Sequence, residues 1–294
     1  MKKTISVAIL MFGICQFSIG QENYSNEPSD AKFVTEDVNR FWKAFDSMDS
    51  LGQNAFTSYI ENGTEGVRGF TKYRIENAKA LYETVSKRKV DYLKSRNALD
   101  DLETKKQEII KIYEALEELY PDAVFPPIYF VVGRFNSGGT VSDAGIILGT
   151  EMMENLDGLP GLVAHELIHY QQNFEGKTTL LFQSLKEGSA DFIGELISGT
   201  HINKVSFDYG EKNAERLTAE FVKKMNKKKL NNWLYHTSGK DDRPNDLGYW
   251  MGYKITKAYY NKQDDKKIAI SEILNIEDPL EFAKESGYLD KYWK

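Results

Sequence analysis

His165-Glu166-Leu167-Ile168-His169 places two imidazoles and a carboxylate within five residues, using two of the chain's four histidines. On a helix, side chains four apart share a face, so both imidazoles can point at one cation. Glu166, one position past the first, then reaches a water held by that cation. HExxH on a helix is the core of a zinc hydrolase. The pentapeptide also arises by chance on buried helices, so the argument needs a fitting helix and a third ligand.

The flanks supply the helix. Asp157 is a candidate N-cap, and Pro160 falls in the first turn, where a missing N–H costs nothing. Leu162, Val163, Leu167 and Ile168 give an apolar flank, and Gly176 is a candidate stop. The third ligand comes from the run Ser184 to Leu196, which reads as a second helix with Leu185, Phe192, Ile193 and Leu196 among its apolar positions. Glu187 and Asp191 are again four apart. The natural division has Glu187 on the metal and Asp191 accepting the second ring N–H of a liganding histidine. Gly188, Ser189 and Ala190 are small enough to let the two helices approach closely. A solvated acidic face is the competing reading, and the small and apolar neighbours argue against it.

HExxH followed by a helix bearing ExxxD resembles the gluzincin metallopeptidases. That resemblance implies a zincin-like fold, Zn2+ as cofactor, His165, His169 and Glu187 as ligands, and Asp191 behind them. Tyr120-Pro121-Asp122, Ile128 to Gly133, Asn136 to Thr140 and Asp246 to Tyr253 resemble a narrower group, secreted bacterial proteins described as predicted zinc-dependent proteases, over roughly residues 71–262. Other zinc-peptidase patterns fit less well. A metzincin would carry glycine and histidine where this chain has Gln172 and Glu175. Gly188-Ser189-Ala190-Asp191 approaches an aspzincin setting, which keeps Asp191 open as a direct ligand.

Zinc in such a site acidifies its water, and Glu166 is placed to act as the base. A donor beside the metal should stabilise the oxyanion. Tyr249, Tyr253 and His236 are the candidates, with Arg243 and His201 behind them. The alternatives to a peptidase are a zinc hydrolase acting on another bond, or a catalytically idle zinc-containing binding protein of the cell envelope. An intact Glu166 argues against the last, because a structural site needs no base.

The remaining sequence sets the context. Lys2 and Lys3 precede an apolar run from Ile5 to Ile19 that is short for a membrane span, and Ser18-Ile19-Gly20 offers small residues for cleavage before Gln21. Residues 1–20 therefore read as a signal peptide and the mature protein as exported, periplasmic or extracellular. Lipidation at Cys15, the sole cysteine, is the second reading, since Ile14 stands where a small residue is wanted. Removing the leader takes the net charge from −6 to −8, with 36 basic against 44 acidic residues. That balance fits a peptide or protein substrate and excludes an obvious use for nucleic acid.

Residues 21–34 are polar and read as a flexible leader. From Thr35 to about Tyr120 the pattern is helical, with a loop at Gly63, Gly66 and Gly69 and a long helix from Thr71. Ile128 to Val132 and Gly145 to Gly149 read as strands, joined through a turn at Asn136 to Gly139. The expected fold is α+β and predominantly helical: a catalytic region over 121–294 with a small antiparallel sheet, forming one unit with a helical region over 35–120. The resemblance to zinc peptidases implies that a strand just before the HExxH helix borders the cleft, where an extended substrate can pair with it; an ordinary hairpin with no substrate role is the equal alternative.

Overall fold

The two apolar runs at 128 and 145 form strands because they have almost nothing polar to present to water. The computed structural model describes residues 25–235 and 242–293. The expected signal peptide over residues 1–20, Cys15 and His236 lie outside the described residues. Phe33–Val34 forms β1, Ile128–Val131 β2, Gly139–Ser142 β3 and Gly145–Gly149 β4, in the order β1-β2-β4-β3. β1, β2 and β4 run parallel, and β3 closes the edge antiparallel to β4. The sheet is therefore mixed, not antiparallel as expected. Ile128, Phe130, Val131, Ile146, Ile147 and Leu148 are all fully buried, the pattern of parallel strands covered on both faces. The supposed turn ends inside a strand: Gly139 opens β3, and the chain from Val132 to Gly138 crosses over the end of β4, where the Gly149 N–H donates to the Gly138 carbonyl (2.9 Å).

The N-terminal helices are α1 (Glu36–Leu51), α2 (Asn54–Glu61), α3 (Glu65–Phe70), α4 (Ala78–Lys87), α5 (Lys89–Lys94) and α6 (Leu102–Leu119). Those after the sheet are α7 (Leu159–Gln171), α8 (Leu180–Ser198), α9 (Lys204–Lys212), α10 (Ala214–Lys224), α11 (Leu247–Lys262), α12 (Lys266–Leu274) and α13 (Pro279–Ser286). One hydrophobic cluster runs through both regions, from Val38 and Phe41 to Leu289. No helix among the described residues is long and apolar enough to cross a membrane.

Three local expectations change. The glycine-punctuated stretch is helix α3 instead of a loop, because Gly66 lets it lie on the sheet; a methyl there would overlap Tyr129. The long helix expected from Thr71 starts only at Ala78, after a π-helical turn over Thr71–Ile75 that ends at Glu76 with φ 68°. Within the expected leader, residues from Ser25 onward are built into the fold, through a bridge from Ser25 to Phe125 and through β1.

The helices that matter for the site pack at backbone range. A methyl on Gly252 of α11 would overlap the Ser184 carbonyl of α8, and one on Gly188 of α8 would overlap the Tyr253 amide. On the opposite side Gly194 of α8 faces His165 of α7, with a Cβ only 3.3 Å from the His165 nitrogen. Small residues thus set the separations between α7, α8 and α11 that hold the chemistry together.

Candidate metal centre

α7 begins one residue later than its sequence suggests. Gly158 is the N-cap, Pro160 occupies the first turn, and the Asp157 amide is taken up by Asn155 (3.0 Å). The helix ends at Gln171, before Gly176. α8 starts with Thr179, whose side chain accepts the Phe182 N–H (3.2 Å), and stops at Gly199 in the left-handed region. Both helices are apolar around most of their circumference, so the polar side chains they carry at 165, 166, 187 and 191 are buried with them. Buried charges persist only when paired or coordinated.

They are paired with one another. His165 Nε2 is 3.7 Å and His169 Nε2 3.1 Å from the same oxygen, Glu187 Oε2. The two imidazole rings stand perpendicular, 4.5 Å between centroids. The three donor atoms lie within 4.8 Å of one another. Tetrahedral zinc with bonds of about 2.1 Å holds its ligands about 3.4 Å apart, so this donor set fits zinc with little movement.

Each imidazole is fixed from behind. His165 Nδ1 lies 2.8 Å from Asp191 Oδ1, and Asn203 Nδ2 donates to the other Asp191 oxygen (2.6 Å). His169 Nδ1 lies 2.8 Å from Gln172 Oε1. The Gln172 amide nitrogen donates to the Lys186 carbonyl (2.7 Å) and Ser189 Oγ (2.9 Å), which turns its oxygen toward His169. Both rings are thereby oriented with Nδ1 toward these supports and Nε2 toward Glu187, the nitrogen that would meet a metal.

The electrostatics match. Burial opposes a charge on His165, but hydrogen bonds to Asp191 and Glu187 and the charges of Asp191 and Glu166 outweigh it and hold the imidazole well above its ordinary range. Burial likewise pushes Glu187 up, yet the charge of His169 and the hydrogen bonds of both histidines carry it well below the usual carboxylate range. Glu166 is raised by burial, against the opposing charges of His169, His165 and Arg74.

The cluster opens into a cleft of about 760 Å³. One wall is the edge strand: Gly139, Thr140 and Val141 line it. Glu166 Oε1 sits only 2.5 Å from where a Cβ on Gly139 would be, so glycine is needed there for the carboxylate to lie along the strand. The loop leading into β3 is anchored by Glu151, a buried carboxylate that accepts the N–H groups of Gly133 (2.8 Å) and Phe135 (3.2 Å). Burial pushes Glu151 up to about 7.

The oxyanion candidates separate. Tyr249 lines the cleft and stacks on His165, 6.0 Å between centroids at 12°. Tyr253, one turn further on α11, does not line it: its hydroxyl donates to Glu195 (2.7 Å) and its ring packs on Phe192 and Phe207. His201 packs against Phe207, and Arg243 pairs with Glu220; neither lines the cleft. Tyr235, which the sequence did not single out, does line it and donates to Glu187 Oε1 (3.0 Å). Its backbone is left-handed (φ 67°), held by an N–H bond to Asp246 Oδ1 (2.7 Å). Burial and the Glu187 charge push both cleft phenols upward, so both keep their protons to donate.

A family described as predicted Zn-dependent protease (DUF2268) matches residues 131–279, half of the chain. The chain belongs to that family. The match takes in β3, β4, α7, α8 and α11, and so all the residues of the metal cluster and its supports. Zinc is the cofactor that the family's description carries, and the His-His-Glu cluster is a donor set suited to it. No curated protein and no solved structure matches the chain.

Proposed function

We propose that this family member is an exported zinc metallopeptidase of the gluzincin type, with Zn2+ held by His165, His169 and Glu187 and with Glu166 as the general base. The observation that carries the proposal is the meeting of three ligand atoms on a cleft whose wall is an edge strand, with Glu166 between the two. When bound, zinc supplies Lewis-acid polarisation of a carbonyl and brings a water's pKa toward neutrality.

The chain's own residues do the rest. An extended peptide pairs with the free edge of β3, which sets its scissile carbonyl over Glu166. Glu166 accepts a proton from the attacking water on a carboxylate oxygen and returns it to the departing amide nitrogen. Burial raises Glu166, and the charges of His169, His165 and Arg74 oppose that rise. Tyr235 and Tyr249 donate to the oxygen that gains charge. Asp191 and Gln172 keep both imidazoles in the liganding tautomer.

The test is digestion of a diverse peptide library by zinc-loaded protein, with a chelator control and the Glu166→Gln variant. Cleavage that a chelator stops and that Glu166→Gln loses while retaining zinc supports the proposal. Undiminished cleavage by Glu166→Gln, or no cleavage of any peptide, overturns it.

A further inference from the structure

Among the described residues, Arg74 is the one arginine whose guanidinium makes neither a hydrogen bond nor an ion pair. The chain has eight arginines, all among the described residues. Six pair with carboxylates. Arg216 binds Tyr209 and Asn213. The Arg74 guanidinium has no hydrogen-bond or ion-pair partner among the described residues, yet it lines the cleft beside Glu166.

Its placement is fixed by the backbone. Arg74 sits in the π-helical turn, a feature frequent at functional sites. Its carbonyl accepts from Arg134 Nε (2.9 Å) and Asn136 Nδ2 (3.1 Å), both on the loop that feeds β3. Arg134 also pairs with Glu76, the left-handed residue that ends the turn. The turn is thus tied to the cleft wall by its main chain, and the side chain is left for something else. The charge of Arg74 already reaches Glu166. Arg74 lies before the family match at 131–279.

We propose that Arg74 recognises a carboxylate on the substrate, so that the cleft selects peptides presenting a free C-terminus or an acidic side chain near the bond to be cut. A guanidinium fork matches a carboxylate in two parallel hydrogen bonds, and a bound carboxylate would supply the partner that the guanidinium lacks among the described residues. The inference rests on the peptidase reading for its substrate class but not for its chemistry.

The experiment uses full-length protein and matched peptide pairs. One arm compares a free C-terminal acid with its amide; the other compares Asp or Glu with Asn or Gln at each position. Cleavage is read as the ratio of kcat/KM within a pair. Binding of the same labelled peptides to Glu166→Gln is read by fluorescence polarisation. Wild type should favour the carboxylate in one arm. Arg74→Ala should lower that ratio about tenfold to a hundredfold, the worth of one charged hydrogen-bonded pair, with Arg74→Lys between. Lys72→Ala, which removes an exposed charge from the same turn, should leave the ratio in place. The proposal is overturned by no carboxylate preference in wild type, by a preference that survives Arg74→Ala, by equal loss in Lys72→Ala, or by an Arg74→Ala effect confined to the pH profile. Cleavage without a carboxylate ratio would sink this inference and spare the peptidase reading. Arg74-dependent binding with no cleavage would do the reverse.

Discussion

Replacing Asp191 tests how the buried shell behind the histidines tunes the metal. Its two oxygens take the His165 Nδ1–H at 2.8 Å, in a buried bond, and the Asn203 amide at 2.6 Å, in a part-buried one. In Asp191→Asn the carbonyl can still accept from His165, but its NH2 then confronts the Asn203 donor, and the charge behind the imidazole is lost. In Asp191→Ala both donors lose their acceptor, and the His165 ring is free to turn or to shift its proton to Nε2. Outer-shell losses of this kind weaken metal binding by about tenfold to a hundredfold, or about 1.4–2.8 kcal/mol. Asn should fall near the lower bound and Ala near the upper. Competition against a chromophoric chelator at fixed pH measures the zinc affinity, and thermal unfolding of the metal-free variants checks that each is folded. Folded variants with wild-type affinity, or Asn weaker than Ala, would refute the reasoning that Asp191 works through the ring of His165.

Three more outcomes follow from packing and charge. Gly252→Ala should lower stability by about 3 kcal/mol or more, because its methyl would overlap the Ser184 carbonyl and backbone cannot yield as a side chain does; chemical denaturation would show it, and a loss under 1 kcal/mol would mean α11 can slide. Glu151 rises from 4.5 to about 7 on folding, so its contribution to stability is full below pH 4.5 and is lost as pH climbs toward 7. Glu151→Gln should remove that slope, about 3 kcal/mol across the window, and parallel stability profiles for wild type and variant would contradict it. Tyr235→Phe should cut kcat about a hundredfold, while Tyr253→Phe, which only strips a hydrogen bond from Glu195, should change it less than about threefold; the opposite order in steady-state assays would move the oxyanion donor to Tyr253.

What the sequence disclosed depended on helical periodicity. His165 with His169, and Glu187 with Asp191, are each one turn apart, and a pair of small-residue helices leaves few ways to arrange them. The helix-rich α+β class was equally legible from the apolar runs. The sheet's direction was not, since β2 and β4 pair across the crossing chain that makes β3, and a turn at Asn136 to Gly139 suggests a hairpin just as well. Tyr249 and Tyr253 look alike on α11, yet a single turn moves one from the cleft to Glu195. Gln172 was visible only as a mismatch to another peptidase pattern, although its position three residues past His169 is the spacing that lets it reach the ring. Asn203, Tyr235, Glu151 and Arg74 come to the site through long-range packing or left-handed loop geometry, for which the local sequence carries no signal. The leader expected over 21–34 shows the same limit: β1 exists only because β2 offers it an edge.

The most direct test of the account is diffraction from zinc-loaded crystals at wavelengths either side of the zinc absorption edge. The account predicts one ion within about 2.0–2.2 Å of His165 Nε2, His169 Nε2 and a Glu187 oxygen, with a water completing the shell on the Glu166 side. An ion closed off by a fourth protein ligand, or one bound away from Glu187, would contradict it.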